Sequence, residues 1–279
     1  MQSIEVGVAA NGEKVSLACQ DVGSGHPVVL IHGWPASHAM WQYQLAELPK
    51  HGIRAIAYDR RGFGHSSKPW DGYDYDTLSD DLSALLEKRD LQDVTLAGFS
   101  MGGGEVARYM GRHGGKRVSK VIFVSAVTPY LMKTDDNPDG VDPSIFTQML
   151  EGLNKDWPDF LSTFGKQFFN VGMLKHPVSQ ATLDWMQHLV LQASLKATLD
   201  CVHAFSRTDF RNDLKSVSVP SLVIHGDADQ VVPLDSSGAR TASILGSGQV
   251  QIYADGPHGL FVTHKEQLNH DIVQFVNRS

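Results

Sequence analysis

Along most of this chain, short apolar runs rich in β-branched residues alternate with stretches of helical spacing. Few architectures accommodate that rhythm. Residues 15–21 read as a strand. Pro27 opens the run Val28-Val29-Leu30-Ile31, apolar without alternation, as in a strand buried on both faces. Residues 39–48 read as a helix and 54–58 as a strand. In 77–88 the residues Leu78, Leu82, Leu85 and Leu86 share one stripe of a helix. A strand over 94–97, a helix over 102–112 and a strand over 121–124 follow. Between about 130 and 215 no strand run occurs, and aromatics gather: Phe146, Trp157, Phe160, Phe164, Phe168, Phe169, Trp185 and Phe205. Strands over 221–224 and 249–253 and a helix over 265–276 then restore the rhythm. The pattern predicts an α/β fold with a mostly parallel central sheet and helices on both faces. The 130–215 segment is expected as a helical cap over the carboxyl ends of the strands, where ligands of open α/β sheets bind. No internal repeat or low-complexity linker divides the 279 residues, so they read as one domain carrying that cap.

Composition narrows the partners. The formal net charge of −7 and the scattered Lys and Arg residues argue against binding a phosphate backbone, so no nucleic-acid partner is expected. No apolar stretch is long enough to span a bilayer, and residues 1–10 lack the basic and apolar regions of a secretory signal. A cytoplasmic protein without membrane attachment is the expectation. Cys19 and Cys201 sit in apolar surroundings outside any CxxC pair and read as small buried hydrophobes. Nothing in the pattern calls for a metal or an organic cofactor.

The strongest local signal is Gly98-Phe99-Ser100-Met101-Gly102, between a predicted strand and a predicted helix. A serine on such a turn is lifted into the cleft, and its neighbours two residues away must be small. The first N–H groups of the helix then face the charge that develops during attack. A serine hydroxyl is a poor nucleophile until a base takes its proton. Among the 13 histidines, His258 in Gly256-Pro257-His258-Gly259 lies on the loop after the last strand, beside the turn that carries Ser100. His32 and His225 each precede a glycine at a strand end and read as structural hydrogen-bonding groups. His264 reads as a possible cap of the last helix. For the acid, Asp227 and Asp229 compete within His225-Gly226-Asp227-Ala228-Asp229. Asp229, deeper in the turn, is assigned to hold the Nδ1–H of His258. Asp227 is assigned to brace the turn through backbone N–H groups. The loop His32-Gly33-Trp34-Pro35 follows another strand. An oxyanion hole from the backbone N–H groups of Trp34 and Met101 is expected, because Pro35 has no N–H to give.

These motifs, with Tyr58-Asp59-Arg60-Arg61-Gly62-Phe63-Gly64 and the 72–82 and 98–109 segments, resemble the α/β-hydrolase fold superfamily nearly end to end. Within it the chain is most similar to bacterial arylesterases and cofactor-free (non-heme) haloperoxidases. The resemblance implies an ester substrate, an acyl-enzyme on Ser100, and the same triad and oxyanion donors. It implies a structural role for Asp59, Arg61, Gly62 and Gly64. Pro35 resembles the haloperoxidase and perhydrolase subgroup, whose members let hydrogen peroxide replace water in deacylation. Relatives are often dimers, trimers or hexamers, so a homo-oligomer is admitted. A lactonase, a lactamase or a carbon–carbon bond hydrolase would share the triad. A dehalogenase or epoxide hydrolase would need a carboxylate where Ser100 stands. A non-catalytic ligand sensor would have no use for the triad.

Overall fold

The computed structural model describes residues 1–246 and 248–278. An antiparallel pair opens the chain, β1 (Gln2–Val8) and β2 (Lys14–Val22). Next come β3 (His26–Ile31), α1 (Gln42–Glu47), β4 (Ile53–Tyr58), α2 (Tyr75–Lys88), β5 (Val94–Phe99), α3 (Met101–His113) and β6 (Val118–Val124). Helices α4 (Pro143–Lys155), α5 (Trp157–Phe168), α6 (Gln180–Val190), α7 (Leu195–Arg207) and α8 (Arg211–Lys215) follow without an intervening strand. The chain closes through β7 (Ser221–Gly226), α9 (Gly238–Leu245), β8 (Gln249–Tyr253), α10 (Leu260–Thr263) and α11 (Lys265–Asn277). Among the described residues no helix is long and apolar enough to cross a membrane.

The strands form one sheet in the order β1-β2-β4-β3-β5-β6-β7-β8. β1 and β2 pair antiparallel, as do β2 and β4, and every pairing from β4 to β8 is parallel. β3 lies between β4 and β5, so the direction of travel across the sheet reverses there. Ile31 pairs with Gly98, and the loops after β3 and β5 therefore leave the sheet side by side. A cleft at the carboxyl ends of the strands follows from such a reversal.

Burial explains why these residues adopt these elements. Val28, Val29, Leu30 and Ile31 have no exposed surface, as befits a strand covered on both faces. The four leucines of α2 are likewise buried, and the Asp74 carboxylate caps that helix by accepting from the Thr77 N–H. The region read as one helix over 39–48 is instead three short pieces: 3₁₀ turns His38–Trp41 and Leu48–His51 flank α1. Pro49 near the start of the second turn has no N–H to continue α1. β1 escaped the sequence reading because Ile4 is its one buried residue, which leaves almost no apolar alternation to detect. Helices α9 and α10 are eight and four residues long, too short for a 3.6-residue period to emerge.

Candidate active site

Ser100 is the single residue between β5 and α3, with φ 52° and ψ −118°. A side-chain-bearing residue with positive φ is a strained turn held by its surroundings. The flanking glycines are a steric requirement. A Cβ on Gly98 would lie 2.3 Å from the Gly102 carbonyl oxygen, and one on Gly102 would lie 2.6 Å from the Ile31 carbonyl oxygen. Strand β3, helix α3 and the turn can pack this closely only without those carbons.

The loops after β7 and β8 bring His258 and Asp229 to this serine. His258 Nε2 lies 3.0 Å from Ser100 Oγ, and His258 Nδ1 lies 2.7 Å from Asp229 Oδ2. With its proton on Nδ1, the imidazole donates to the carboxylate and presents a lone pair to the hydroxyl. Ser100, Asp229 and His258 are all buried. Asp229 Oδ1 accepts from the N–H groups of Val231 and Val232 at 2.9 and 2.8 Å, so it also shapes its own turn. His225 Nε2 donates to the Val232 carbonyl at 2.8 Å and lies 3.4 Å from Asp229 Oδ2. Burial pushes the Asp229 carboxyl up, but the His258 and His225 rings outweigh burial and hold it well below the usual carboxylate range. The Phe99 and Phe168 rings, each 4.9 Å from the His258 ring centre, fix the imidazole plane.

Two sequence assignments are corrected here. Asp227 is exposed and its carboxylate makes no hydrogen bond among the described residues; its backbone N–H donates to the Tyr253 carbonyl instead. The bracing of the turn given to Asp227 belongs to Asp229 Oδ1, because the tight turn after Gly226 aims Asp229 inward and Asp227 at solvent. His264 occupies the position before α11 but caps nothing; its ring contacts the Thr263 hydroxyl and the Ala254 carbonyl.

Trp34 lies in the loop after β3, and Met101 is the first residue of α3. Among the described residues neither backbone N–H has a protein acceptor, so both are free to donate to a bound group. The Trp34 indole donates to the Thr198 carbonyl at 2.9 Å, and its ring lies edge-on to Phe164 and Phe205. His32 has the structural role expected of it: Nδ1 donates to the Gly33 carbonyl at 2.8 Å and Nε2 accepts from the Arg60 N–H at 2.9 Å. Burial, with Arg60 beside it, pushes His32 down to about 3, so the ring stays neutral.

The 59–64 segment ties this region together. Asp59 accepts from the backbone N–H and Nδ1 of His38, both at 2.7 Å, and from the His65 N–H at 2.8 Å. Arg61 makes a two-pronged pair with Asp81 at 2.6 and 2.7 Å. Gly62, at φ 85°, accepts through its carbonyl from the Ser194 N–H, and a Cβ on Gly64 would strike the Asp59 carboxylate. Arg60 went unassigned in the sequence reading. It is fully buried, pairs with Glu105 at 2.7 Å, and donates to the His32 carbonyl at 2.8 Å. Tyr58 donates to the same Glu105 carboxylate.

Ser100, His258 and Trp34 open onto a cavity of about 360 Å³. Phe146, Met149, Phe160, Phe164 and Phe205 form much of its wall, and besides His258 its lining carries no ionisable side chain. The end of α5 holds the loops that carry Asp229 and His258: the Phe168 carbonyl accepts from the Gly259 N–H, Asn170 Nδ2 donates to the Ala228 carbonyl, and Gln167 Nε2 donates to the Gln230 carbonyl. Neither Gln167 nor Asn170 lies in a motif, so no pattern in the sequence points to them. Among the described residues no group of three or more His, Cys, Asp or Glu side chains is placed to hold a metal ion.

The family described as alpha/beta hydrolase fold matches residues 26–265, and the chain belongs to it. Its similarity is to the bacterial haloperoxidases and esterases of that family. The crystal structure of a bromoperoxidase from Bacillus anthracis superposes with a TM-score of 0.95 at 44% identity, covering 99% of each chain. A non-heme chloroperoxidase of Kitasatospora aureofaciens is 41% identical over 97% of this chain and 99% of its own length. A bifunctional esterase/perhydrolase of Acinetobacter calcoaceticus is 37% identical over 90% of this chain and 91% of its own.

Proposed function

We propose that the protein is a serine hydrolase of small, uncharged carboxylic esters, working through an acyl-enzyme on Ser100 and passing the acyl group to water or to hydrogen peroxide. The unbroken hydrogen-bonded path from Ser100 through His258 to Asp229, on the wall of an apolar cavity, carries this reading. His258 takes the Ser100 proton as Oγ attacks the acyl carbonyl. Negative charge on the carbonyl oxygen is met by the N–H groups of Trp34 and Met101, each worth about 3–4 kcal/mol in such sites. Asp229 stabilises the imidazolium. His258 then protonates the leaving alcohol. Water or peroxide, deprotonated by His258, attacks the acyl-enzyme by the reverse path and releases an acid or a peracid.

The perhydrolase name of one relative and the haloperoxidase names of others support the peroxide branch. In this reading residues 130–215 act as the cap, since Leu131, Val141 and helices α4, α5 and α7 together supply most of the cavity wall. The cytoplasm is the proposed compartment: two free, buried thiols suit reducing surroundings. The test is turnover of a short aryl acetate with and without peroxide, with peracid read by bromination of monochlorodimedone. Ester hydrolysis that rises with enzyme, and peracid that forms only with acyl donor and peroxide together, are the expected results. Failure to cleave any uncharged ester would contradict the proposal.

A further inference from the structure

If peracid forms on Ser100, it forms inside the apolar cavity, and what it meets first is set by the cavity wall. One group in that wall reduces peracids readily: the Met149 thioether, on α4. Among the described residues Met149 is the one methionine lining this cavity. Met40, Met101, Met110 and Met186 are buried, whereas Met1 and Met173 are 70% and 93% exposed. Met149 shares the cavity with the reacting serine, where a newly made peracid is far more concentrated than in solution.

We infer that Met149 is an oxidation site, converted to its sulfoxide by the peracid that the enzyme itself makes. The inference rests on the peroxide branch proposed above, with hydrogen peroxide as co-reactant. The acyl-enzyme ester and peroxide yield free Ser100 and a peracid. The Met149 sulfur then attacks the terminal peroxy oxygen and the O–O bond breaks. Sulfur gains that oxygen and loses two electrons, and the proton carried by that oxygen passes to the departing carboxylate, which is released as the carboxylic acid. Thioether oxidation turns a flexible apolar side chain into a polar one. In a wall that also carries Phe146 and Phe160, the added oxygen makes the cavity more polar, so an apolar acyl group binds less well. Oxidation thus damps the reaction that causes it.

The experiment maps methionine oxidation by peptide mass spectrometry after incubation with peroxide alone, with an aryl acetate alone, and with both, using wild type and Ser100→Ala. Peracid is measured in parallel. With peroxide alone, exposed Met173 oxidises ahead of Met149. With both reagents the order inverts, and Met149 gains its oxygen about tenfold faster than with peroxide alone. In Ser100→Ala the order stays that of peroxide alone. In Met149→Leu, activity relative to the variant's own starting rate persists longer per peracid formed. Peracid production with Met149 untouched, or oxidised no faster than Met173, would overturn the inference while leaving the peroxide branch standing. Absence of peracid would overturn both.

Discussion

At the scale of single residues, the turn after β7 separates two aspartates two positions apart. Asp229 is buried and holds three donors, whereas Asp227 faces solvent. Asp229→Asn is expected to lower kcat on the order of 10⁴-fold, because an amide in that place favours the wrong His258 tautomer. Asp227→Asn is expected to change stability by no more than about 0.5 kcal/mol and to spare kcat. Steady-state kinetics and urea unfolding of both variants check this; a catalytic collapse in Asp227→Asn would move the acid. The contact of Asp229 with His258 was expected from the sequence, but the bracing role was not, since which carboxylate turns inward depends on the path of the loop. His32 adds a pH dependence. Its folded pKa of about 3 lies below its ordinary value of 6.5, so the unfolded chain binds more protons between them. Its contribution is fully present above about pH 6.5 and is lost toward pH 3, by about 1.4 kcal/mol per pH unit. Unfolding free energies from pH 7 to 5 should fall less steeply in His32→Asn; an identical slope would contradict the assignment.

At the scale of elements, Arg60 joins three of them. It follows β4, pairs with Glu105 in the second turn of α3, and grips the His32 carbonyl at the end of β3. The two proposed oxyanion donors, Trp34 and Met101, begin the loop after β3 and helix α3, so this pair sets their separation. Arg60→Leu leaves a buried carboxylate unpaired and is expected to cost about 3–5 kcal/mol. The double variant Arg60→Leu/Glu105→Leu is expected to regain most of that stability, as buried pairs exchanged for apolar side chains often do. It should nevertheless keep a lowered kcat. Urea midpoints together with kcat test both statements, and full catalytic recovery in the double variant would show the pair to be structural alone. The serine turn, the histidine loop and the Trp34 loop were legible because each is a short motif at a strand end. The Arg60–Glu105 pair and the grip of Gln167 and Asn170 on the loop after β7 were not. They join residues 45, 63 and 58 positions apart that carry no pattern of their own.

At the scale of the whole molecule, the order of strands and helices, β1, α9 and α10 excepted, was legible from hydrophobic runs, and the helical interruption announced itself by its aromatics. What those aromatics do was not legible. Phe146, Phe160, Phe164 and Phe205 line the cavity, while Phe168 and Phe169 pack at the loop that carries His258. The uncharged wall predicts substrate choice. An aryl ester whose acyl chain ends in a carboxylate is expected to have a kcat/KM at least about 100-fold below its methyl-ended counterpart, because an unpaired buried charge costs several kcal/mol. Equal rates would mean that the acyl group binds elsewhere. The central claim, that Ser100 is the nucleophile, is tested most directly by a serine-directed fluorophosphonate and mapping of the modified peptide. The account predicts one label per chain, on Ser100, with loss of ester hydrolysis in step with labelling. Inactivation accompanied by a label on any other residue, or wild-type turnover in Ser100→Ala, would contradict it.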